Sequence, residues 1–150
     1  MTIQRITADQ VLLVADLFNQ YRIFYKQASD IALAEKFLTE RLANNESVIF
    51  VAMINEQPAG FTQLYPTYSS MRVSKNWILN DLYVEAGQRK QGIGGNLIKT
   101  AMNFAREDGA TYLALSTAVD NYTAQALYES IGFIKQEPDT AFFDYRIALK

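Results

Sequence analysis

A glycine-rich basic turn, Arg89-Lys90-Gln91-Gly92-Ile93-Gly94-Gly95, has the residue types needed to bind a phosphate. It follows a strand-like run that ends at Val84 and precedes an amphipathic helical pattern. The first N–H groups of a helix have no intrahelical partner and lie at the positive end of its dipole. Glycine lets an anion approach the backbone closely. The turn therefore predicts a phosphate cradle, and a helix start with solvated charges is the structural alternative.

Two familiar nucleotide-binding loops do not fit this turn. Gly87 and Gly92 match the outer glycines of G-x-x-x-x-G-K-[ST], but Ile93 and Gly94 replace the lysine and the hydroxyl residue. A dinucleotide fingerprint that begins at Gly92 would need its third glycine at the position of Leu97. The phosphate ligand must therefore be recognised in another way.

The composition limits the available chemistry. The chain has 150 residues, no cysteine, no histidine and a net charge of −2. These counts exclude a cysteine nucleophile, a Ser-His-Asp triad and thiolate or imidazole metal ligands, and we expect no metal. The acidic balance disfavours nucleic-acid binding. The absence of a long apolar run and of a secretory signal predicts a cytoplasmic protein without a membrane span.

Hydrophobic periodicity predicts a single domain, residues 1–150, of the α/β class with a mixed sheet and helices on both faces. The predicted order is β-α-α-β-β-β-α-β-α-β-β. The predicted strands are 2–6, 48–54, 61–65, 76–84, 112–117, 133–135 and 142–149, and the predicted helices are 11–25, 31–43, 93–107 and 121–131. Residues 55–60 read as a hairpin turn and residues 66–74 as a loop.

Two motifs in this order resemble a known family. Arg89-x-x-Gly92-x-Gly94 follows a strand ending in Leu-Tyr-Val, and Asn121-x-x-Ala124-x-x-Leu127-Tyr128-x-x-x-Gly132-Phe133 lies one strand further on. Both are similar to motifs of the GCN5-related N-acetyltransferase (GNAT) family, and the element order is similar over nearly the whole chain. The resemblance implies an N-acetyltransferase that uses acetyl-CoA.

The resemblance also implies a cofactor site. The pyrophosphate would lie on the turn, and the pantetheine arm would pair with the preceding strand as an extra strand does. The implied cofactor-binding residues are Leu82, Tyr83, Val84, Arg89, Lys90, Gln91, Gly92, Ile93, Gly94, Gly95 and Asn121. A bulge in that strand would free a backbone N–H, that of Leu82, for the thioester oxygen. Asn121 has helix capping as an equal alternative.

The same comparison implies catalytic residues. Tyr128 stands at the position of the family tyrosine that protonates the departing CoA thiolate, with a packed aromatic as the structural alternative. Asp81 is the candidate base, acting through water, as Glu85 also could. A solvated or structurally bonded carboxylate is the competing interpretation, and a water chain to bulk without a dedicated base is a further one. The polyamine-acetylating relatives have a Glu-Asp pair where this chain has Asn80-Asp81.

The acceptor is expected to be a primary amine of a small molecule or of a peptide. A cation could bind against the aromatic faces of Tyr21, Tyr25, Tyr65 and Tyr68. We take Tyr25, Tyr65 and Asp81 as substrate-binding residues. The lack of cysteine favours direct transfer. The alternative function is a non-catalytic acyl-CoA-binding module, and transfer to a charged RNA end is disfavoured by the charge. A homodimer is expected by analogy with the fold.

Overall fold

The computed structural model describes every residue from Met1 to Lys150, and the chain divides into two compact units, Met1–Ser116 and Thr117–Lys150. The first unit contains a five-stranded sheet and three helices, and the second contains one helix and the C-terminal segment. The strands are β1 (Thr2–Arg5), β2 (Val48–Ile54), β3 (Gln57–Ser69), β4 (Ser74–Val84) and β5 (Leu113–Ala114), and the helices are α1 (Ala15–Phe24), α2 (Ile31–Ala43), α3 (Ile93–Glu107) and α4 (Tyr122–Ile131). Short 3₁₀ segments, Ala8–Leu13 and Ala86–Gln88, precede α1 and α3.

The sheet has the strand order β1-β2-β3-β4-β5, in which only the β4–β5 pair is parallel. Asn55 and Glu56 join β2 to β3 with φ values of 50° and 63°. Positive φ at both central residues is the signature of a tight two-residue hairpin. The predicted mixed sheet is therefore confirmed, whereas the predicted turn at residues 55–60 shortens to Asn55 and Glu56, because β3 already begins at Gln57.

Helices cover both faces of this sheet within the first unit. On one face, α1 and α2 pack on Ile49, Val51 and Phe61 in a common core. On the other face, the ring of Phe104 in α3 lies 5.9 Å from that of Phe50 and 5.0 Å from that of Trp77. The two faces follow from the alternation of side chains along a strand. No helix of the chain has both the length and the apolar character needed to cross a bilayer.

Helix α3 lies close to the sheet because Gly60 has no side chain. A Cβ atom at Gly60 would lie 3.0 Å from the Tyr83 carbonyl oxygen and 3.2 Å from Cγ2 of Ile93. The predicted apolar stripe of α3 is the buried face, with Ile93 at 2% and Leu97 and Ala101 at 0% exposure. This contact holds the start of α3 against the end of β4, where the basic turn begins.

The predicted loop at residues 66–74 shortens to residues 70–73, because β3 continues to Ser69 and pairs with β4 as far as Ser74. Proline usually interrupts a strand, and Pro66 favoured the loop prediction. The last pair between β2 and β3 is Val48 with Leu64, so β2 does not pair with β3 beyond Leu64. Pro66 therefore lies in a part of β3 that is an edge strand. A missing N–H is tolerated at an edge.

The predicted strands 133–135 and 142–149 are wrong, and the predicted strand 112–117 shortens to Leu113–Ala114. The C-terminal side chains Phe142, Phe143, Tyr145, Ile147 and Leu149 are between 77% and 92% exposed. Alternation of apolar and polar residues produces a strand only where a neighbouring backbone completes the ladder. These residues have no such neighbour within their unit.

Candidate active site

The edge of β4 that follows Ile78 is open. The β5 ladder covers only Trp77 and Ile78, so no strand faces residues 79–84 on that side. The Glu85 N–H donates to the Ala59 carbonyl on the β3 side. Because alternate residues of an antiparallel strand point to opposite edges, the N–H groups of Leu82 and Val84 point away from β3. They form a backbone edge that an extended amide-containing ligand could pair with.

A β-bulge interrupts β4 immediately before Asp81. Gln63 pairs with Asp81 and Leu64 pairs with Leu79, so Asn80 has no partner on β3. The bulge therefore lies two residues before Leu82. Bulges bend a strand and re-aim the groups beside them. Here the bulge lies two residues after Ile78, the last residue of β4 that pairs with β5.

The predicted phosphate cradle has the backbone geometry that its sequence indicates. Gly92 is the N-cap of α3 with φ 81°, in the left-handed region that favours glycine, and no side chain caps the helix. Lys90 also has a positive φ, 66°. The first N–H groups of α3 therefore have no side-chain acceptor, and they lie beside the exposed cations Arg89 and Lys90. Such a helix start is suited to an anion.

Arg89 is fixed against the end of β4. Its Nε donates to the Val84 carbonyl at 2.9 Å, and its guanidinium lies 5.4 Å from the centre of the Tyr83 ring. The backbone groups of Tyr83 point toward β3, so its ring, and not its backbone, supports the turn. Gln91 Nε2 donates to Gln88 Oε1 at 3.1 Å, which closes the turn on itself.

Asp81 is a buried carboxylate, 2% exposed, on the face of the sheet that α1 covers. It accepts hydrogen bonds from Gln63 Nε2 at 2.5 Å and from Asn80 Nδ2 at 2.7 Å. The Tyr21 hydroxyl donates to the Asn80 carbonyl at 3.3 Å and lies near enough to the carboxylate to interact with it. Gln63 is completely buried, and its Oε1 has no hydrogen-bond partner.

Burial raises the pKa of Asp81, and the hydrogen bonds from Asn80 and Gln63 and the interaction with Tyr21 only partly oppose that effect. Burial also raises the pKa of Tyr21 and of Tyr65, and the nearby Asp81 charge raises both further. The cluster is therefore a carboxyl group with increased proton affinity beside two phenols that stay protonated. A carboxyl group of this kind can exchange a proton nearer to neutrality than a solvated one.

Only part of the predicted acceptor wall gathers around Asp81. Tyr21 and Tyr65 interact with its charge, whereas Tyr25 packs against Tyr21 with ring centres 5.0 Å apart and is half exposed. Tyr68 is 72% exposed in the distal half of β3. The contribution of Tyr25 therefore passes through Tyr21.

The second motif forms α4 in the C-terminal unit. Asn121 Oδ1 accepts from the Ala124 N–H at 3.2 Å, so the side chain caps the helix, as the structural alternative predicts. The Tyr128 ring lies 6.0 Å from that of Phe133. Gly132, with φ 121°, ends the helix and turns the chain toward Phe133.

Sequence reasoning missed Gln63, which holds the Asp81 carboxylate from the neighbouring strand. A glutamine between Phe61 and Leu64 in a predicted strand is the signal that could have indicated it, because a buried polar side chain requires a partner. Its partner depends on the register of β3 and β4, which the bulge at Asn80 shifts by one residue.

Comparison with known proteins agrees with this geometry. A model of the Acetyltransferase (GNAT) family matches residues 13–133. Uncharacterized N-acetyltransferase YhfO of Bacillus subtilis is 46% identical over 145 residues, which is 97% of this chain and 95% of that protein. The crystal structure of a probable acetyltransferase is 41% identical, with a TM-score of 0.87, and the match covers 100% of this chain and 99% of the other.

A predicted acetyltransferase from Clostridium acetobutylicum, crystallised with acetyl-CoA, shares the fold at 14% identity, with a TM-score of 0.74 over 97% of this chain and 95% of that one. The family model covers most of the chain, and close relatives match it over nearly its whole length. The chain therefore belongs to the GNAT family of acetyltransferases.

Proposed function

We propose that the protein transfers an acetyl group from acetyl-CoA directly to the primary amine of a small molecule or of a peptide. The observation that carries the proposal is the open edge of β4 from Leu79 to Val84, which leads into the uncapped start of α3. An amide-containing arm that ends in a diphosphate complements both features at once.

In this proposal, the pantetheine amides pair with the backbone of Leu82 and Val84. The diphosphate accepts hydrogen bonds from the first N–H groups of α3, and Arg89 and Lys90 neutralise its charge. The acetyl-CoA in the fold relative from Clostridium acetobutylicum supports this choice of donor. Asn121 is the remaining proposed cofactor contact, in addition to its role as a helix cap.

The reaction forms one bond and breaks another. The amine nitrogen attacks the thioester carbonyl carbon, the carbonyl oxygen becomes an oxyanion, and the C–S bond then breaks to release CoA thiolate. We assign the Leu82 N–H to the oxyanion, since the loss of one such donor costs ~3–4 kcal/mol in other acyl-transfer enzymes. We assign Tyr128 as the acid that protonates the thiolate, because of its place in the second family motif.

The acceptor must lose a proton before or during the attack. We assign this proton to Asp81, whose raised pKa favours proton uptake. Because Asp81 is buried, the transfer passes through the adjoining Tyr21 hydroxyl or a water molecule. Tyr65 and Tyr25 complete the acceptor wall in this proposal. A cytoplasmic homodimer also stays a prediction, which size-exclusion chromatography and fractionation would test.

Calorimetry with CoA and measurement of free-thiol release test the function together. We expect CoA to bind to the wild-type protein and thiol to accumulate when acetyl-CoA meets a suitable amine. Changing both Arg89 and Lys90 to Gln should weaken CoA binding and reduce its salt dependence, whereas Lys99→Gln, at an exposed position of α3, serves as control. Absence of CoA binding by the wild-type protein would exclude the proposal. CoA binding without thiol release from any amine would favour the acyl-CoA-binding module.

A further inference from the structure

A cleft between α1 and α2 lies apart from the cofactor edge. It has a volume of about 280 Å³ and is lined by Phe18, Arg22, Leu33, Ala34 and Phe37. Four of these five residues are apolar, and Leu33 and Phe37 remain 48% and 37% exposed. The volume lies just below the usual range for small-molecule sites. The cleft therefore suits the apolar part of a small ligand.

Arg22 is the one charged group in the cleft. No carboxylate lies within ion-pair distance of it, and its only hydrogen bond is a long one of 3.4 Å from Nη1 to the Ala28 carbonyl. Guanidinium has five N–H donors arranged to match a carboxylate. A partly buried guanidinium with free donors between apolar walls is suited to an anionic ligand.

The neighbouring acid, Asp30, does not pair with Arg22. Asp30 follows the loop between the helices, but its Oδ1 accepts the Leu33 N–H at 3.0 Å as the N-cap of α2. Its backbone N–H donates to Asn19 Oδ1 at 2.9 Å, and Asn19 Nδ2 donates to Ser29 Oγ at 3.0 Å. Asn19 is 4% exposed, so this network fixes the loop. The cleft is thus preformed, with its charge unpaired.

The cleft adjoins the Asp81 cluster through one layer of rings. Phe18, which lines the cleft, lies 5.9 Å from Phe37 and 6.2 Å from Tyr21, measured between ring centres. Tyr21 directly precedes Arg22 and interacts with Asp81. The packed rings of Phe18 and Tyr21 therefore connect the cleft that holds Arg22 with the Asp81 cluster.

We propose that the acceptor is an amino carboxylic acid with an apolar side chain, and that Arg22 binds its carboxylate while its apolar part occupies the cleft between α1 and α2. Binding of such a molecule in the cleft does not depend on the proposed function. Its role as the acceptor does rest on that function. The amine of such a molecule would extend toward the Tyr21 side, where the acidic group lies.

Direct binding tests the recognition independently of catalysis. The probes are L-phenylalanine and L-leucine, each compared with its carboxamide, titrated calorimetrically into the full-length protein. We expect the acid to bind about tenfold more tightly than its amide, and Arg22→Gln to abolish that preference. Arg22→Lys should keep part of the preference, and the exposed Arg72→Gln should keep all of it. Equal binding of acid and amide, no binding of either, or an unchanged preference in Arg22→Gln would overturn the inference.

Thiol release from acetyl-CoA with the same probes separates this inference from the function on which it rests. If the acids give more thiol release than the amides, and Arg22→Gln removes this difference, both the inference and the acetyltransferase function are supported. Release with other amines but without preference for a carboxylate overturns the inference and leaves the acetyltransferase function standing. Arg22-dependent binding of the acids without release from any amine supports the recognition site and removes its role in acetyl transfer.

Discussion

Gln63 and Asp81 face each other across β3 and β4, with the amide nitrogen Nε2 of Gln63 2.5 Å from Oδ2 of the carboxylate. The amide oxygen of Gln63 has no partner. A buried acceptor without a donor costs stability, so the Gln63 oxygen lowers the stability of the fold. Positions of this kind are common at functional sites.

The first prediction concerns Asp81→Asn. The folded protein holds the Asp81 proton more tightly than the unfolded chain does, since burial raises the pKa above its ordinary 3.8. Wild-type stability should therefore decline as the pH rises from 3.8 toward the raised value. The asparagine variant should lack this decline and be at least as stable at pH 7, because rotation of the Gln63 amide by 180° lets Gln63 Oε1 accept from the asparagine Nδ2.

Urea unfolding of both proteins between pH 4 and pH 8 measures this difference. The exposed Asp144→Asn is the matched control and should leave the profile unchanged. The same Asp81→Asn protein should bind CoA normally and release thiol more slowly if Asp81 receives the amine proton. An asparagine variant less stable than wild type at pH 7 would contradict the pKa argument.

Asp108 should give the opposite dependence on pH. Trp77 Nε1 donates to its Oδ2 at 2.8 Å and Lys75 Nζ lies 3.1 Å from the same oxygen, and these contacts lower the pKa of Asp108. The stabilisation is present above the unfolded value of 3.8 and is lost as the pH falls through the depressed pKa. Asp108→Asn should flatten that loss in acid unfolding, while retaining an oxygen that can accept from Trp77. If the variant lost stability at low pH as steeply as the wild-type protein, Asp108 would not be the source of that loss.

Gly60→Ala tests the contact that positions the basic turn. The added Cβ would meet the Tyr83 carbonyl oxygen at 3.0 Å and Ile93 Cγ2 at 3.2 Å, and the backbone atom cannot move aside cheaply. We expect a loss of ~1–3 kcal/mol in the free energy of unfolding, as for other overpacked sites. Gly87→Ala, where no atom lies within 4 Å of the new Cβ, is the control for chemical denaturation. Similar stability of the two variants would show that α3 and β3 separate easily.

The sequence predicted the central half of this molecule well, for an identifiable reason. The stripe of Ile93, Leu97 and Ala101 is periodic and locally encoded, and the structure buries all three. The partner of Asp81 could not be predicted in the same way, since it depends on a one-residue shift at Asn80 between two strands. The cleft of Arg22 depends on how α1 meets α2, which neither helix encodes alone.

The C-terminal strands show the converse limit. Phe143, Tyr145 and Ile147 alternate with Asp144 and Arg146, the pattern of a half-buried strand, yet all three apolar side chains are exposed. Alternation gives a segment the capacity to pair and does not supply the neighbour that it pairs with. The two-residue β5 shows the same dependence.

Gly95→Ala tests whether Gly95 is needed for the fold or for access of a ligand to the helix start. Gly95 lies in the first turn of α3, and a Cβ there would have no atom within 4 Å. Alanine should therefore raise the stability of the helix, by up to ~1 kcal/mol. A methyl group beside the uncapped N–H groups should at the same time weaken CoA binding. Calorimetry and thermal unfolding measure the two effects, with the exposed Asn103→Ala of the same helix as control. Stability and CoA affinity that rise together would mean that the diphosphate does not approach this turn.

Tyr128→Phe tests the proposed acid. The substitution removes only the hydroxyl and keeps a ring to pack at 6.0 Å from Phe133, so α4 should stay folded. A thiolate is a good leaving group, and we therefore expect a modest fall in kcat, roughly tenfold to a hundredfold, with unchanged CoA affinity. The fall should be largest above neutral pH, where the released thiolate gains least from solvent protons. Tyr122→Phe, an exposed tyrosine of the same helix, is the control. Equal turnover in both variants would remove Tyr128 from the mechanism and leave protonation of the thiolate to water.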